Sequence, residues 1–111
     1  MKRAPLPQDE ESRLNALRRY RILDTDPEKC FDDITSLASF VCHTPIALLS
    51  LVDKERQWFK SGIGINAKES SRDSSFWAHA ILQSEMLIVP DTSQDIRFAD
   101  NPMVREDLKI R

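Results

Sequence analysis

The sequence predicts an α+β fold in which a central antiparallel sheet is flanked by helices. Three stretches carry that prediction. Residues 46–52 (IALLSLV) are apolar at every position except Ser50 and so have no solvent face, as in a strand covered on both sides. Asp53, Lys54 and Glu55 are turn residues, and RQWFK resumes with bulky β-formers, which makes the segment an antiparallel hairpin. Upstream, residues 27–41 repeat apolar side chains at intervals of three and four, the period of a helix lying on a sheet.

Composition sets the outer limits. At 111 residues with 41% hydrophobic content the chain is one domain with a core of its own, not a disordered segment. A formal net charge of −2 lacks the basic excess of a nucleic-acid binder. No apolar run is long enough to span a bilayer, and MKRAPLPQDEESR lacks the apolar centre of a signal peptide, which places the chain in the cytoplasm without membrane contact. Its two cysteines, Cys30 and Cys42, fall on one helix, about 18 Å apart at 1.5 Å of rise per residue, and are read as free thiols.

Residues 1–8, with Pro5 and Pro7, form a mobile leader, and the domain occupies residues 9–111. A first helix runs from Asp9 or Glu10 to about Ile22. Its acidic first turn and its Arg18, Arg19 and Arg21 match the helix dipole, and that basic end is read as a solvated surface. Its apolar stripe, Leu14 and Leu17 with the stem of Arg21, is narrow, so it packs at the periphery or on a partner. In the second helix Asp26 is placed to cap and Pro27 to open the first turn. Phe31, Ile34, Leu37, Ala38 and Val41 form the face expected to lie on the sheet, with Asp32, Asp33 and Ser36 opposite. Cys42-His43 at its end is too small a ligand set for zinc, and no metal is expected.

Gly62 and Gly64 close the second strand, and residues 66–71 are a polar connection. Asp73 or Ser74 caps a short helix on which Phe76, Trp77, Ala80 and Ile81 share one face, with His79 at its margin as a packed histidine donating to a carbonyl. Residues 86–89 read as a short strand ended by Pro90. In residues 91–102 the spacing of Asp91, Asp95 and Asp100 does not fit a calcium loop, so these are turn and capping groups. Arg97-Phe98 anchors the loop, ring inward and guanidinium on a carboxylate or carbonyls. Asn101-Pro102 starts a helical turn through Met103 and Val104, and residues 108–111 begin a further apolar element. Local motifs assemble no Ser-His-Asp or Cys-His pair, and two glycines cannot build a phosphate-cradling loop, so no catalytic residues are assigned.

Three motifs in order, LDTDPEKCFDDITSLASFVCHTPIALLSLVDKERQWFKSGIGI, RDSSFWAHAI and IVPDTSQDIRFADNPMV, resemble a GAF domain of the type found in bacterial sensor histidine kinases and diguanylate cyclases. The resemblance covers the chain from about Ser12. It implies a profilin-like domain: a central antiparallel sheet, helices on one side that often dimerise, and a loop-covered pocket on the other. Two departures stand out. Trp77 occupies the position where such domains often carry Cys in FCAHAI, and the C-terminal strands and closing helix of the pattern are missing after Arg111.

The function implied is a non-catalytic sensory or regulatory module that couples small-molecule binding or packing to an output domain or dimer partner. Phe59, Trp77, His79, Asp91, Arg97 and Phe98 are the candidate pocket residues, and the cofactor or ligand is unassigned. Two alternatives depend on thiols: a GAF-type free methionine sulfoxide reductase and a bilin-binding photosensor. Both need a cysteine facing the pocket, and neither Cys30 nor Cys42 is placed there. The strand at 46–52 is short of a neighbour, so its second edge is expected to pair with the C-terminal remainder of a longer polypeptide or with a second chain in a homodimer.

Overall fold

The computed structural model describes residues 3–101. The helical turn expected at 101–104, the apolar element expected at 108–111 and the first two residues of the leader lie outside the described residues. Residues 3–7 have no regular structure, and Arg3 pairs with Asp73 at 2.7 Å.

Helix α1 spans Glu10–Tyr20, with Glu10 and Glu11 in its first turn and Arg18 and Arg19 in its last. It ends where Arg21 turns into the left-handed region at φ 50°. Leu14 is its buried side chain. With so narrow an apolar stripe, α1 is fastened mainly by polar groups: Arg13 Nη1 donates to the Val52 carbonyl, and Glu10 is gripped by Arg72.

Helix α2 covers Lys29–Cys42, two residues later than the sequence suggests. Asp26 does not cap it. Glu28 is the N-cap, in extended conformation and without a side-chain cap bond, while the Asp26 carbonyl accepts from Lys60 Nζ at 2.6 Å. Pro27 therefore belongs to the connection. At the other end His43 sits at φ 51° and closes the helix through its own amide and that of Thr44, so its role there is a backbone one.

The sheet is three-stranded and antiparallel, in the order β1 (Ala47–Val52), β2 (Arg56–Ile63), β3 (Glu69–Ser71). β3 corrects the expectation of an irregular polar connection. Its three residues offer no apolar alternation, and it forms through main-chain pairing of Arg56 with Ser71 and Trp58 with Glu69. Among the described residues β1 pairs with β2 alone and stands at the sheet edge. The β1–β2 register shifts between Leu49 and Ser50, which face Ser61 and Phe59; Lys60 is the extra residue of a bulge.

α2 lies against the sheet rotated away from the face expected, of which Phe31 alone is half-buried. Thr35 is buried and shares a 2.8 Å hydrogen bond with Ser61, whose hydroxyl also donates to Asp32 at 2.6 Å. Ile34, Leu37 and Val41 are 54%, 63% and 63% exposed. The apolar period identified the helix correctly but not its rotation, because two polar side chains meet a polar strand position at its underside. Leu37→Ala is accordingly expected to change the stability of the isolated chain by no more than about 0.5 kcal/mol, where a core leucine costs about 2–5. Urea denaturation midpoints decide between the two.

On the other face of the sheet, helix α3 (Phe76–Ala80) follows a single 3-10 turn at Arg72–Ser74. Neither Asp73 nor Ser74 caps α3. Ser75 does, accepting from the amides of Trp77 and Ala78 at 3.1 and 3.3 Å. The same hydroxyl donates to Oε1 of Gln57, a fully buried side chain whose Nε2 donates to Ser50 at 3.0 Å. A polar seam thus fixes α3 to β1 and β2. Residues 86–89 are irregular, not a strand: Leu87 and Val89 are half-buried, while Met86 and Ile88 are 82% and 72% exposed. A second 3-10 turn, Thr92–Gln94, precedes the segment that delivers Phe98 to the core.

Candidate functional site

The site is built around α3. Ser75 holds the first turn in place, so that Phe76, Trp77 and Ala80 face a cavity of about 320 Å³ completed by Leu87, Val89 and Thr92. Two aromatic rings, three aliphatic side chains and one hydroxyl make a concave apolar surface with a single polar side chain, the composition of a small-molecule pocket. The alternation in residues 86–89 serves this cavity by turning Leu87 and Val89 towards it.

Behind the cavity, Phe98 is 1% exposed and anchors the loop. The Phe76 ring meets it edge-on at 4.9 Å between centroids, and the His79 ring does so at 5.0 Å. Arg97 stacks on Phe98 at 5.0 Å and donates to Asp95 through Nε at 3.0 Å and Nη2 at 2.7 Å. Those bonds, against a smaller opposing cost of burial, hold the Asp95 carboxyl down at about 2. Asp91 accepts from the amide and hydroxyl of Ser93, the capping role expected of it.

Of the candidate residues, Trp77 lines the cavity, His79, Arg97 and Phe98 form the layer supporting it, and Asp91 adjoins the lining residue Thr92. Phe59 is not among its lining residues. It borders two other cavities, one of about 330 Å³ with Asp24, Thr25, Asp26, Pro27, Trp58, Lys60 and Lys68, the other reaching towards α2. Sequence reasoning missed Leu87 and Val89 as lining residues and passed over Lys60, Gln57, Arg72 and Ser75 altogether. Only Ser75, immediately before an apolar helix start, carried a usable signal.

Lys60 has a fully buried side chain. Its ammonium donates to Thr25 Oγ1 at 2.7 Å and to the Asp26 carbonyl at 2.6 Å, and pairs with Glu28 at 2.7 Å. The Phe31 and Trp58 rings stand 5.6 and 6.0 Å away. With its donors engaged, this lysine fixes the connection between α1 and α2.

Arg72 ties the turn before α3 to the first turn of α1. It reaches Oε1 of Glu10 at 2.5 Å and Oε2 at 3.2 Å, and also donates to the carbonyls of Asp53 and Lys54. Its bond to Glu10, with a second from Arg13, lowers the Glu10 carboxyl from 4.5 to about 2. A depressed carboxylate stabilises the fold above its unfolded pKa, and that contribution disappears as pH falls through the folded value. The difference in denaturation midpoint between wild type and Glu10→Gln should be full above pH 4.5 and vanish near pH 2. A constant difference across that range would contradict the ion-pair assignment.

Among the described residues there is no group of three or more His, Cys, Asp or Glu able to hold a metal ion, and no helix long and apolar enough to cross a membrane. Cys30 and Cys42 are free and exposed on α2, at the sheet face opposite the one to which Ser75 fixes α3.

No family model matches the chain. Over 107 residues, 96% of its length, the chain is 38% identical to a cyclic di-GMP phosphodiesterase from Pseudomonas aeruginosa. It spans 18% of that protein's length.

Proposed function

We propose that this chain is a non-catalytic sensory or regulatory module of the GAF type, acting in the cytoplasm within a bacterial signal-transduction protein. The observation that carries the proposal is the match itself: nearly all of this chain aligns with less than a fifth of a protein named for cyclic di-GMP hydrolysis. A segment of that share has the size of an accessory module. The α+β architecture, the GAF-like motifs and the apolar cavity under Trp77 support the same reading, with a small molecule in the cavity as the sensed input. Exposed thiols on α2 do not favour the thiol-dependent alternatives.

The purified chain is expected not to hydrolyse cyclic di-GMP. Turnover above a buffer control would refute the non-catalytic assignment. The edge of β1 that is unpaired among the described residues is where a remainder of the parent polypeptide or a second copy would pair, and sedimentation with amide exchange examines it. A monomer with slow exchange at every β1 amide would rule out edge pairing.

A further inference from the structure

The α3 cavity and α1 have no lining residue in common, yet one side chain joins them. Arg72 has a buried guanidinium, 7% exposed, that grips Glu10 at both carboxylate oxygens. Its carbonyl accepts from the Ser75 amide at 3.1 Å, and the Ser75 hydroxyl caps α3 at Trp77 and Ala78. From the cavity wall at Trp77 to the first turn of α1 there are thus three hydrogen-bonded steps, through Ser75 and Arg72. Glu10 also has a second arginine at hand, since Arg13 donates to both of its oxygens, at 3.0 and 2.8 Å. One carboxylate is thus shared between Arg72, which docks α1 on the hairpin, and Arg13, which belongs to its own helix and also donates to the Val52 carbonyl. A bidentate pair is sensitive to small displacements, so a shift of the Arg72–Ser75 turn would loosen the Arg72 contact, leave Glu10 to Arg13 and weaken the docking of α1.

We propose that the Arg72–Glu10 pair is a conformational relay, through which occupancy of the α3 cavity sets how firmly α1 is docked. It rests on the reading of that cavity as a sensing site. Arg72 acts here as a positioning residue: it contacts α1 and the hairpin, not the ligand. The input is a small apolar molecule against Trp77, and the output is the docking of the N-terminal helix.

The test uses the full chain, with indole as cavity probe and amide exchange as readout. Saturating indole is expected to shift the α3 amides and to change α1 exchange by about tenfold, an ordinary size for coupling between two sites. In Glu10→Gln the α3 shifts should remain while the α1 response falls within about twofold of no change. Arg72→Lys, which keeps the charge but not the fork, is the second variant should Glu10→Gln fold poorly, and should blunt the response likewise. An α1 response undiminished in both variants, or absent in wild type despite α3 shifts, overturns the relay. If indole produces no α3 shift, the sensing reading fails instead, and Trp77→Phe then decides the relay by altering the cavity wall from within. A change in α1 exchange on Trp77→Phe that disappears in the Glu10→Gln background upholds the relay; an equal change in both backgrounds, or none in either, overturns it.

Discussion

Phe98→Ala should destabilise the domain by about 3–5 kcal/mol, the cost of removing a large aromatic side chain from a core that cannot close over the space. The ring is 1% exposed and is met edge-on by Phe76 and His79, so its loss takes the support from α3 as well as from its own loop. Denaturant unfolding of wild type and variant measures it directly. A loss below about 1 kcal/mol would show that the segment delivering Phe98 is not part of the folded core. The same variant should lose cavity binding disproportionately, because Phe76 borders the cavity on one side and Phe98 on the other.

Gly64→Ala should cost about 2–4 kcal/mol, combining left-handed backbone strain with steric overlap. Gly64 sits at φ 82° just beyond β2, where a Cβ would overlap the carbonyl oxygen of Pro45 and come within 3.0 Å of Ile46 Cγ1. The obstruction is main chain, so it cannot swing aside. Gly62→Ala provides the contrast. Its Cβ would meet chiefly Leu48 Cδ2, the far end of a flexible side chain, and about 1 kcal/mol is expected. Equal costs at the two positions would show that the close approach at Pro45 is not what requires a glycine.

The parts of the fold legible in the sequence were those written in local chemistry. The hairpin follows from an apolar run, a DKE turn and a β-rich return; α1 follows from its charge asymmetry; Phe98 and Arg97 follow from an aromatic and a cation side by side in a polar loop. What stayed hidden depends on partners distant in sequence. The rotation of α2 is set by Thr35 and Asp32 meeting Ser61, which no helical period announces. β3 has no side-chain signature, and residues 86–89, apolar throughout, resemble a strand although they line a cavity. Phe59 is expected beside Trp77 because α3 and its loop cover the sheet face away from α2, whereas it borders the two cavities beside Lys60 instead. The bulge at Lys60 has no signature in the sequence either, since the extra residue is invisible until both strands are aligned.

That bulge has a consequence for how the molecule comes apart. At the bulge β2 holds Lys60 buried, and its ammonium reaches the Thr25 hydroxyl, the Asp26 carbonyl and the Glu28 carboxylate, three groups on a connection that has no regular structure of its own. Elsewhere such a segment would fray independently and be the first place a protease cuts. Here the connection can loosen only by stranding an ammonium among aromatic rings, so residues 24–28 and the centre of β2 open together, and an irregular stretch of surface acquires the lifetime of a strand.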